Sequence, residues 1–361
     1  MIDARAAVLL DAGADPELTG IRIRPPVGDE VLVRIDAVGI CHTDISVAAR
    51  WPQRRMPMVF GHEGAGTVEA AGPSAGVAVG RRVVLTFASC GECPNCVEGR
   101  PAYCRRSTDL NLRGARDALH LGDEAITGGF FGQSSLATYA LASARNTVPV
   151  DDDLDPALAA PLGCSVQTGV GTVLNTIAPQ RGDTLVVYGV GAVGLSAVMG
   201  ARIAGCGDIV AVDPVPERRA LAAELGATAT VDPTSADATA EIVELTGGGA
   251  HAAIDTTAIP DVLAGALTAL RARGTLAIVG LGAPTAALPV GLIMGSGLTV
   301  RGVVEGDSEP HTFIPRLAGL VRSGELPLEK VVTRYRFDDF GDGWSAAKSG
   351  RVVKPVLVTG S

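Results

Sequence analysis

Aromatic residues and positive charge are both scarce in this 361-residue sequence. Aromatic residues make up 4% of the chain, whereas 47% of the residues are hydrophobic and 46 are glycine. This balance favours α/β layers with close backbone approaches, and the length predicts two domains or one large one. The net charge of −9 excludes nucleic acid and an anionic membrane surface as partners.

The sequence also lacks a long uninterrupted hydrophobic run and a secretion signal. The most apolar long stretch, Leu185 to Cys206, is broken by glycines and by Arg202, which indicates a buried strand and helix rather than a membrane span. The N-terminus has only a short apolar run at residues 6–10. We therefore expect a cytoplasmic protein whose seven cysteines serve metal binding or catalysis rather than disulfides.

The hydrophobic pattern of the sequence changes near residue 170. Before it, short alternating runs such as 31–38 lie between glycine and proline turns and predict a partly open β-barrel. Residues 105–128 are polar and irregular, and we expect a surface loop there. After residue 170, strand and helix patterns alternate, which predicts a doubly wound parallel sheet and an α/β fold overall.

Three separated residues, Cys41, His62 and Cys164, are candidate ligands of one metal ion. Cys41 opens a Cys-His-Thr-Asp segment, and His62 lies in the glycine-rich run 61–66. Two thiolates and one imidazole leave zinc an open coordination position, which is typical of a catalytic site. Zinc held in this way polarises an alcohol and lowers its pKa.

Four further cysteines cluster within fifteen residues, at positions Cys90, Cys93, Cys96 and Cys104. This spacing on a glycine- and proline-containing loop predicts a closed tetrahedral zinc site. The alternatives are unrelated buried thiols or an iron–sulfur cluster. A four-thiolate site has no open position, so we expect its role to be structural.

A glycine turn follows the apolar run 184–188 and leads into an apolar helix pattern. Its glycines are Gly189, Gly191 and Gly194, and Asp213 stands at the end of the next strand pattern. This arrangement is typical of a dinucleotide-binding turn, in which the acidic residue takes the adenosine ribose hydroxyls. It favours NAD over NADP, and Arg218 is a further candidate at the ribose. The alternative is a glycine turn without a cofactor.

Together these motifs make the sequence resemble the medium-chain zinc-dependent alcohol dehydrogenases over essentially its whole length. Within that family it is most similar to the aryl-alcohol dehydrogenases, through the segments 130–135, 161–169 and 304–308. The resemblance implies a GroES-like catalytic domain at residues 1–163 and 306–361. It implies a Rossmann cofactor domain at residues 164–305.

The resemblance also implies a role for individual residues. Cys41, His62 and Cys164 would hold the catalytic zinc, Glu63 would approach the metal, and Asp44 would orient His62. Thr43 would hydrogen-bond the alcohol. The cofactor would meet His42, Thr168, Val193 and Lys354. Many relatives have a histidine at position 46 that ends the proton relay, whereas this chain has Ser46.

The function that the resemblance implies is reversible, NAD-dependent oxidation of a primary aromatic or allylic alcohol to the aldehyde. Two zinc ions per chain and a homo-oligomer, dimer or tetramer, are part of this expectation. Two alternatives remain open: a dehydrogenase of formaldehyde–thiol adducts, and a non-catalytic protein that binds zinc and NAD. Allylic terpenoid alcohols compete with benzyl alcohols as the substrate.

Overall fold

A computed structural model describes residues 1–235 and 237–359 of the chain. The backbone forms two compact units. The first unit comprises Met1–Cys164, Glu309–Gly324 and Val331–Ser361, and the second comprises Ser165–Ser308 and Glu325–Lys330.

The strands are numbered in chain order. They are β1 (Ile2–Leu9), β2 (Glu17–Ile23), β3 (Glu30–Gly39), β4 (Met58–Val59), β5 (Gly64–Ala71), β6 (Arg82–Leu85), β7 (Ala115–Leu121), β8 (Glu124–Gly128), β9 (Tyr139–Ser143), β10 (Thr147–Pro149), β11 (Leu185–Tyr188), β12 (Ile209–Val212), β13 (Ala229–Val231), β14 (Ala250–Asp255), β15 (Leu270–Ile278), β16 (Thr299–Gly302), β17 (Val332–Arg336) and β18 (Lys354–Val358).

The α-helices are short in the first half of the chain and longer in the second. They are α1 (His42–Ala48), α2 (Pro94–Val97), α3 (Ser107–Leu112), α4 (Pro156–Ala159), α5 (Ser165–Gly171), α6 (Ala192–Ala204), α7 (Pro216–Leu225), α8 (Ala238–Leu245), α9 (Pro260–Thr268), α10 (Val290–Ser296), α11 (Pro310–Arg322) and α12 (Phe340–Ser349).

Two sheets form the first unit. Strands β1, β2, β7, β8 and β4 close into a barrel, and a second sheet runs in the order β10-β6-β5-β3-β18-β17, with β9 also paired to β3. Val31, Val33 and Ile35 of β3 are fully buried, because alternate side chains of a strand face the same core. The predicted barrel is confirmed, and it is closed rather than partly open.

The expectation of an irregular surface loop at residues 105–128 is wrong. The segment contains α3 and the hairpin β7–β8, whose strands pair on either side of Gly122 and Asp123. Leu119 and Ile126 of this hairpin are buried in the core of the barrel. A two-residue turn of this kind joins antiparallel strands, but the polar residues on the outer face hid the alternation.

The second unit is a six-stranded parallel sheet in the order β13-β12-β11-β14-β15-β16. The four residues of β11 are buried, as expected for a central parallel strand covered on both faces. The strand order reverses between β12 and β14 on either side of β11, which is the position where such sheets bind dinucleotides. The predicted doubly wound sheet is confirmed.

Within the described residues, no single helix is long and apolar enough to cross a membrane. The consecutive helical segments Pro156–Gly163 and Ser165–Ile177 reach that length and apolarity only as a bent pair.

Candidate active site

The first unit brings Cys41, His62, Glu63 and Cys164 together, and their ligand atoms all lie within 4.8 Å of one another. Cys41 is the residue that precedes α1, and His62 and Glu63 lie between β4 and β5. Cys164 ends the short helical turn Ala160–Gly163. All four side chains are buried.

The donor atoms of this cluster fit a bound metal ion. The Nε2 atom of His62 is buried and has no hydrogen-bond partner among the described residues. An unpaired buried polar atom is unfavourable by about 1–3 kcal/mol, and metal coordination would satisfy it. The pKa of the Cys41 thiol lies well below its ordinary value, because Cys164 donates a hydrogen bond to the sulfur and Lys354 adds positive charge nearby. Burial opposes this lowering but does not cancel it. The thiolate form of cysteine is the metal ligand.

Asp44 holds the two ligand segments in register. Its Oδ2 accepts the backbone N–H of Cys41 at 3.0 Å, and its Oδ1 accepts the backbone N–H of Gly61 at 3.1 Å. The same Oδ1 lies 2.9 Å from Nδ1 of His62. Donation of the Nδ1 proton to Asp44 leaves the lone pair of His62 on Nε2, the nitrogen that faces the ligand cluster.

Glu63 is paired with Lys354 rather than left alone beside the thiols. The Lys354 Nζ atom lies 2.9 Å from both carboxylate oxygens, and Lys354 is only 2% exposed. Burial raises the pKa of Glu63, while Lys354 opposes that rise. Burial would lower the pKa of Lys354, but Glu63 and the two thiols raise it above its ordinary value. Gly39 makes room for this pair, since a Cβ atom there would lie 2.1 Å from Glu63 Oε2.

The residues predicted to handle the proton lie on α1. The Thr43 hydroxyl is 3.7 Å from the sulfur of Cys41, so it borders the ligand cluster. Ser46 is half-buried. His42 is exposed.

Aromatic rings surround His62. The Phe131 ring stacks on the imidazole with 4.6 Å between ring centroids and 28° between planes. Phe130 meets the same imidazole edge-on at 5.7 Å and packs against Phe60, which in turn meets Trp51. Phe131 has a positive φ of 50°, and its side chain is half-buried. Phe87 borders a small cavity beside Cys96.

The four cysteines of the loop after β6 also form one cluster, with all four sulfur atoms within 4.8 Å of one another. They are free thiols, and backbone N–H groups point at their sulfurs. The pKa of the Cys93 thiol is lowered to about 6, because the backbone N–H groups of Arg105 and Cys96 stabilise its thiolate. Burial raises the pKa of the Cys96 thiol to about 12. Four converging cysteine sulfurs without an open position fit a structural metal ion, which binds them as thiolates.

In the second unit, the glycine turn joins β11 to α6. Gly189 has a positive φ of 79°, and a Cβ atom at Gly194 would lie 2.0 Å from the Gly189 carbonyl oxygen. A Cβ atom at Gly191 would meet nothing within 4 Å, which leaves open space above the helix N-terminus. This geometry fits a pyrophosphate, which backbone N–H groups and the helix dipole stabilise.

Asp213 is fixed at the end of β12 by the backbone. Its carboxylate accepts the N–H groups of Val190 and Val215, both at 2.9 Å, and Arg218 Nη1 lies 3.9 Å from it. Asp213 is 2% exposed. A carboxylate held at this position can accept ribose hydroxyls and would repel a 2′-phosphate.

A buried polar network surrounds Thr168, and the sequence did not suggest it. The hydroxyl of Thr168 and the side-chain amide of Gln167 both donate to Glu305 Oε2 at 3.2 Å, and Ser308 donates to Gln167 at 2.9 Å. A Cβ atom at Gly169 would lie 2.2 Å from the Val193 carbonyl oxygen, so α5 packs directly on the start of α6. The sequence analysis used residues 304–308 only as part of the family resemblance, and it gave Glu305 no role.

Comparison with known proteins agrees with this geometry. The family profile of the alcohol dehydrogenase GroES-like domain matches residues 28–152, and that of the zinc-binding dehydrogenases matches residues 192–321. Geraniol dehydrogenase of Castellaniella defragrans is 43% identical over 366 residues, which span 99% of this chain and 98% of that protein.

Two solved structures are similar over essentially the whole chain. An alcohol dehydrogenase zinc-binding domain protein from Burkholderia ambifaria has a TM-score of 0.96 and 43% identity, with 99% of both chains covered. Benzyl alcohol dehydrogenase from Acinetobacter calcoaceticus has a TM-score of 0.94 and 40% identity, with 100% of both chains covered.

Proposed function

The chain belongs to the zinc-binding medium-chain alcohol dehydrogenase family, and from this premise we propose that it oxidises primary alcohols next to an aromatic ring or a double bond. Two similar proteins carry the names geraniol dehydrogenase and benzyl alcohol dehydrogenase, and these names motivate the substrate class. The product is the aldehyde, and the reaction is reversible.

The chemistry needs a group that activates the alcohol oxygen and a group that accepts hydride. When bound, zinc supplies a Lewis acid and NAD supplies the hydride acceptor. Cys41, His62 and Cys164 would hold the catalytic zinc, while Cys90, Cys93, Cys96 and Cys104 would hold the structural one.

The remaining roles belong to side chains of this chain. The Thr43 hydroxyl takes the alcohol proton and passes it towards Ser46 or water, which is general acid–base assistance. Asp44 keeps His62 in its ligating tautomer. The paired Glu63 and Lys354 place one negative and one positive charge beside the thiolates.

The cofactor lies on the second unit. Gly189, Gly191 and Gly194 form the pyrophosphate turn, and Asp213 with Arg218 takes the adenosine ribose. Thr168 and Val193 would border the nicotinamide, as the resemblance implies. We assign His42 to the cofactor phosphates on the resemblance alone, whereas the buried pairing of Lys354 with Glu63 argues against the phosphate contact expected for Lys354.

The observation that carries the substrate proposal is the Phe131 ring beside the ligand cluster. It stacks on His62, and the side chain is half-buried. A flat substrate gains contact with such a ring, and aromatic pairs contribute about 0.5–1.5 kcal/mol beyond area burial. Ethanol makes no comparable contact.

A Phe131→Leu variant tests this proposal. The preference in kcat/KM for benzyl alcohol over ethanol should fall about 2- to 10-fold, because the flat contact is lost while the volume changes little. The matched control is Phe340→Leu, which removes a core ring packed on Trp344 in the same unit and should leave the preference unchanged. An unchanged preference in Phe131→Leu would remove the support that the aromatic site gives.

The alternative of a formaldehyde–thiol adduct as substrate requires cationic groups for the carboxylates of the thiol. Lys354, the cationic side chain at the ligand cluster, is engaged by Glu63. This pairing favours uncharged alcohols. A substrate panel that includes S-hydroxymethylglutathione separates the two classes.

Assembly and location complete the proposal. Strand β16 lies at the edge of the parallel sheet, and the neighbouring segment exposes Leu281 (69%), Val290 (72%) and Met294 (77%). An open edge with exposed apolar side chains favours a homo-oligomer, dimer or tetramer. We place the enzyme in the cytoplasm, because its free thiols need a reducing compartment. Light scattering of the purified protein measures the oligomer directly.

A further inference from the structure

Hydrogen bonds join the segment 130–136 to residues 59–61, which immediately precede His62. The Ser134 hydroxyl donates to the Val59 carbonyl at 2.6 Å. The backbone N–H groups of Ser135 and Leu136 donate to Gly61 and Phe60 at 3.0 Å. The rings of Phe130 and Phe131 contact the His62 imidazole from this same segment.

One side chain of the segment, Gln133, bonds to three buried backbone groups. Its Nε2 donates to the carbonyl oxygens of His62 at 3.0 Å and Thr86 at 3.2 Å. Its Oε1 accepts the N–H of Gly64 at 3.2 Å. Gln133 is 2% exposed. The Gln133 amide therefore binds the backbone on both sides of Glu63 and connects this segment to Thr86 at the end of β6.

The network continues from Thr86 to the other ligand segment. The Thr86 hydroxyl donates to the Gly163 carbonyl at 2.8 Å, and Gly163 immediately precedes Cys164. Gly163 also lies against β6, since a Cβ atom there would be 2.1 Å from the Leu85 carbonyl oxygen. A continuous path of hydrogen bonds thus runs from His62 through Gln133 and Thr86 to the residue beside Cys164.

We propose that Gln133 is a positioning residue for the catalytic metal, because it sets the separation of the His62 and Cys164 segments. The inference rests on the proposed metal assignment of that cluster. Asp44 fixes His62 relative to Cys41. Gln133 connects His62, through Thr86, to the segment of the third ligand. Partners behind metal ligands typically change metal affinity by about 10–100-fold when they are removed.

Asn146 provides a matched control within the same core. It is 1% exposed, and its amide donates to the carbonyl oxygens of Thr86, Phe131 and Gly132 at 3.1, 3.3 and 3.2 Å. It has no hydrogen bond to residues 62–64 among those described. Loss of the Asn146 amide therefore reports the general effect of a lost buried amide, without a direct effect on His62.

The test compares Gln133→Met with Asn146→Leu, two near-isosteric apolar replacements, in the full chain loaded with zinc. Zinc release is followed with a chromogenic chelator, and the cobalt-substituted protein is examined by its visible absorption. Gln133→Met should release zinc from the Cys41 cluster about 10–100-fold faster and shift the cobalt bands. Asn146→Leu should lower the melting temperature but keep the parental release rate and cobalt bands.

Equal zinc release and cobalt spectra in Gln133→Met and the parent would overturn the inference, as would equal changes in both variants. If Gln133→Met does not fold, Gln133→Asn is measured, since its shorter amide cannot span all three backbone groups. A parental release rate in that variant also contradicts the inference. A parent that binds a single zinc per chain would overturn the metal assignment itself, which is a distinct result.

Discussion

Thr43 and Ser46 lie three positions apart on α1, but only Thr43 has a hydroxyl in contact with the ligand cluster, at 3.7 Å from the Cys41 sulfur. Thr43→Val should lower kcat/KM for benzyl alcohol by about 10²–10⁴-fold, since it removes general acid–base assistance. Ser46→Ala is the control and should change little, because water can end the relay. A larger loss at Ser46 than at Thr43 would show that the proton takes another path.

Asp213 should set the choice between the two dinucleotides. Its carboxylate is held by the N–H groups of Val190 and Val215, where it would repel a 2′-phosphate. Asp213→Gly should raise the ratio of kcat/KM with NADP to that with NAD by at least about tenfold, which corresponds to about 1.4 kcal/mol. Asp232→Gly, at the end of the neighbouring strand β13, is the control. Equal kcat/KM for both cofactors in the parent would contradict this reading of Asp213.

At the residue scale, the sequence predicted residues within local motifs but did not predict which residues pair through long-range contacts. Asp44 follows Cys41 by three positions, so its segment could be recognised. Lys354 pairs with Glu63 across 291 positions, and Gln133 meets His62 across 71. No spacing rule links such residues, because the sheet topology that joins them depends on the whole fold.

Substitutions in the four-cysteine loop should affect stability, whereas substitutions in the Cys41 cluster should affect catalysis. Cys96→Ser should remove one zinc per chain and lower the melting temperature, because structural zinc contributes folding free energy directly. Cys164→Ser should remove the other zinc and abolish activity while the fold remains. Metal analysis, calorimetry and assays of both variants check this, and retention of two zinc ions in either variant would refute that ligand set.

The hairpin β7–β8 shows why one element escaped the sequence analysis. Its outward residues are polar, including Arg116 and Asp117, and its buried positions are Leu119, Ile126, Thr127 and Gly128. Two of these four positions are large apolar residues, which are too few to establish a period of two in a short segment. By contrast, α6 was recognised because a glycine turn precedes a long apolar helix pattern that ends at Gly205.

For the whole molecule, the prediction of a zinc alcohol dehydrogenase of the medium-chain family is confirmed, along with its barrel and its parallel sheet. The motifs sufficed because metal ligands and phosphate turns impose fixed residue types at fixed places. The functional boundaries at 163/164 and 305/306 remain predictions, as do the individual site roles. The substrate is the least predictable property, because it depends on side chains that no motif specifies.

The most direct measurement is the comparison of kcat/KM for benzyl alcohol, geraniol, ethanol and cyclohexanol with NAD, using the two-zinc protein and Cys164→Ser as a blank. Conjugation stabilises the developing carbonyl, and an apolar ring gains about 25 cal/mol per Å² of buried surface. Benzyl alcohol and geraniol should therefore exceed ethanol and cyclohexanol by at least about tenfold. Ethanol or cyclohexanol that matches benzyl alcohol would contradict the proposed substrate class.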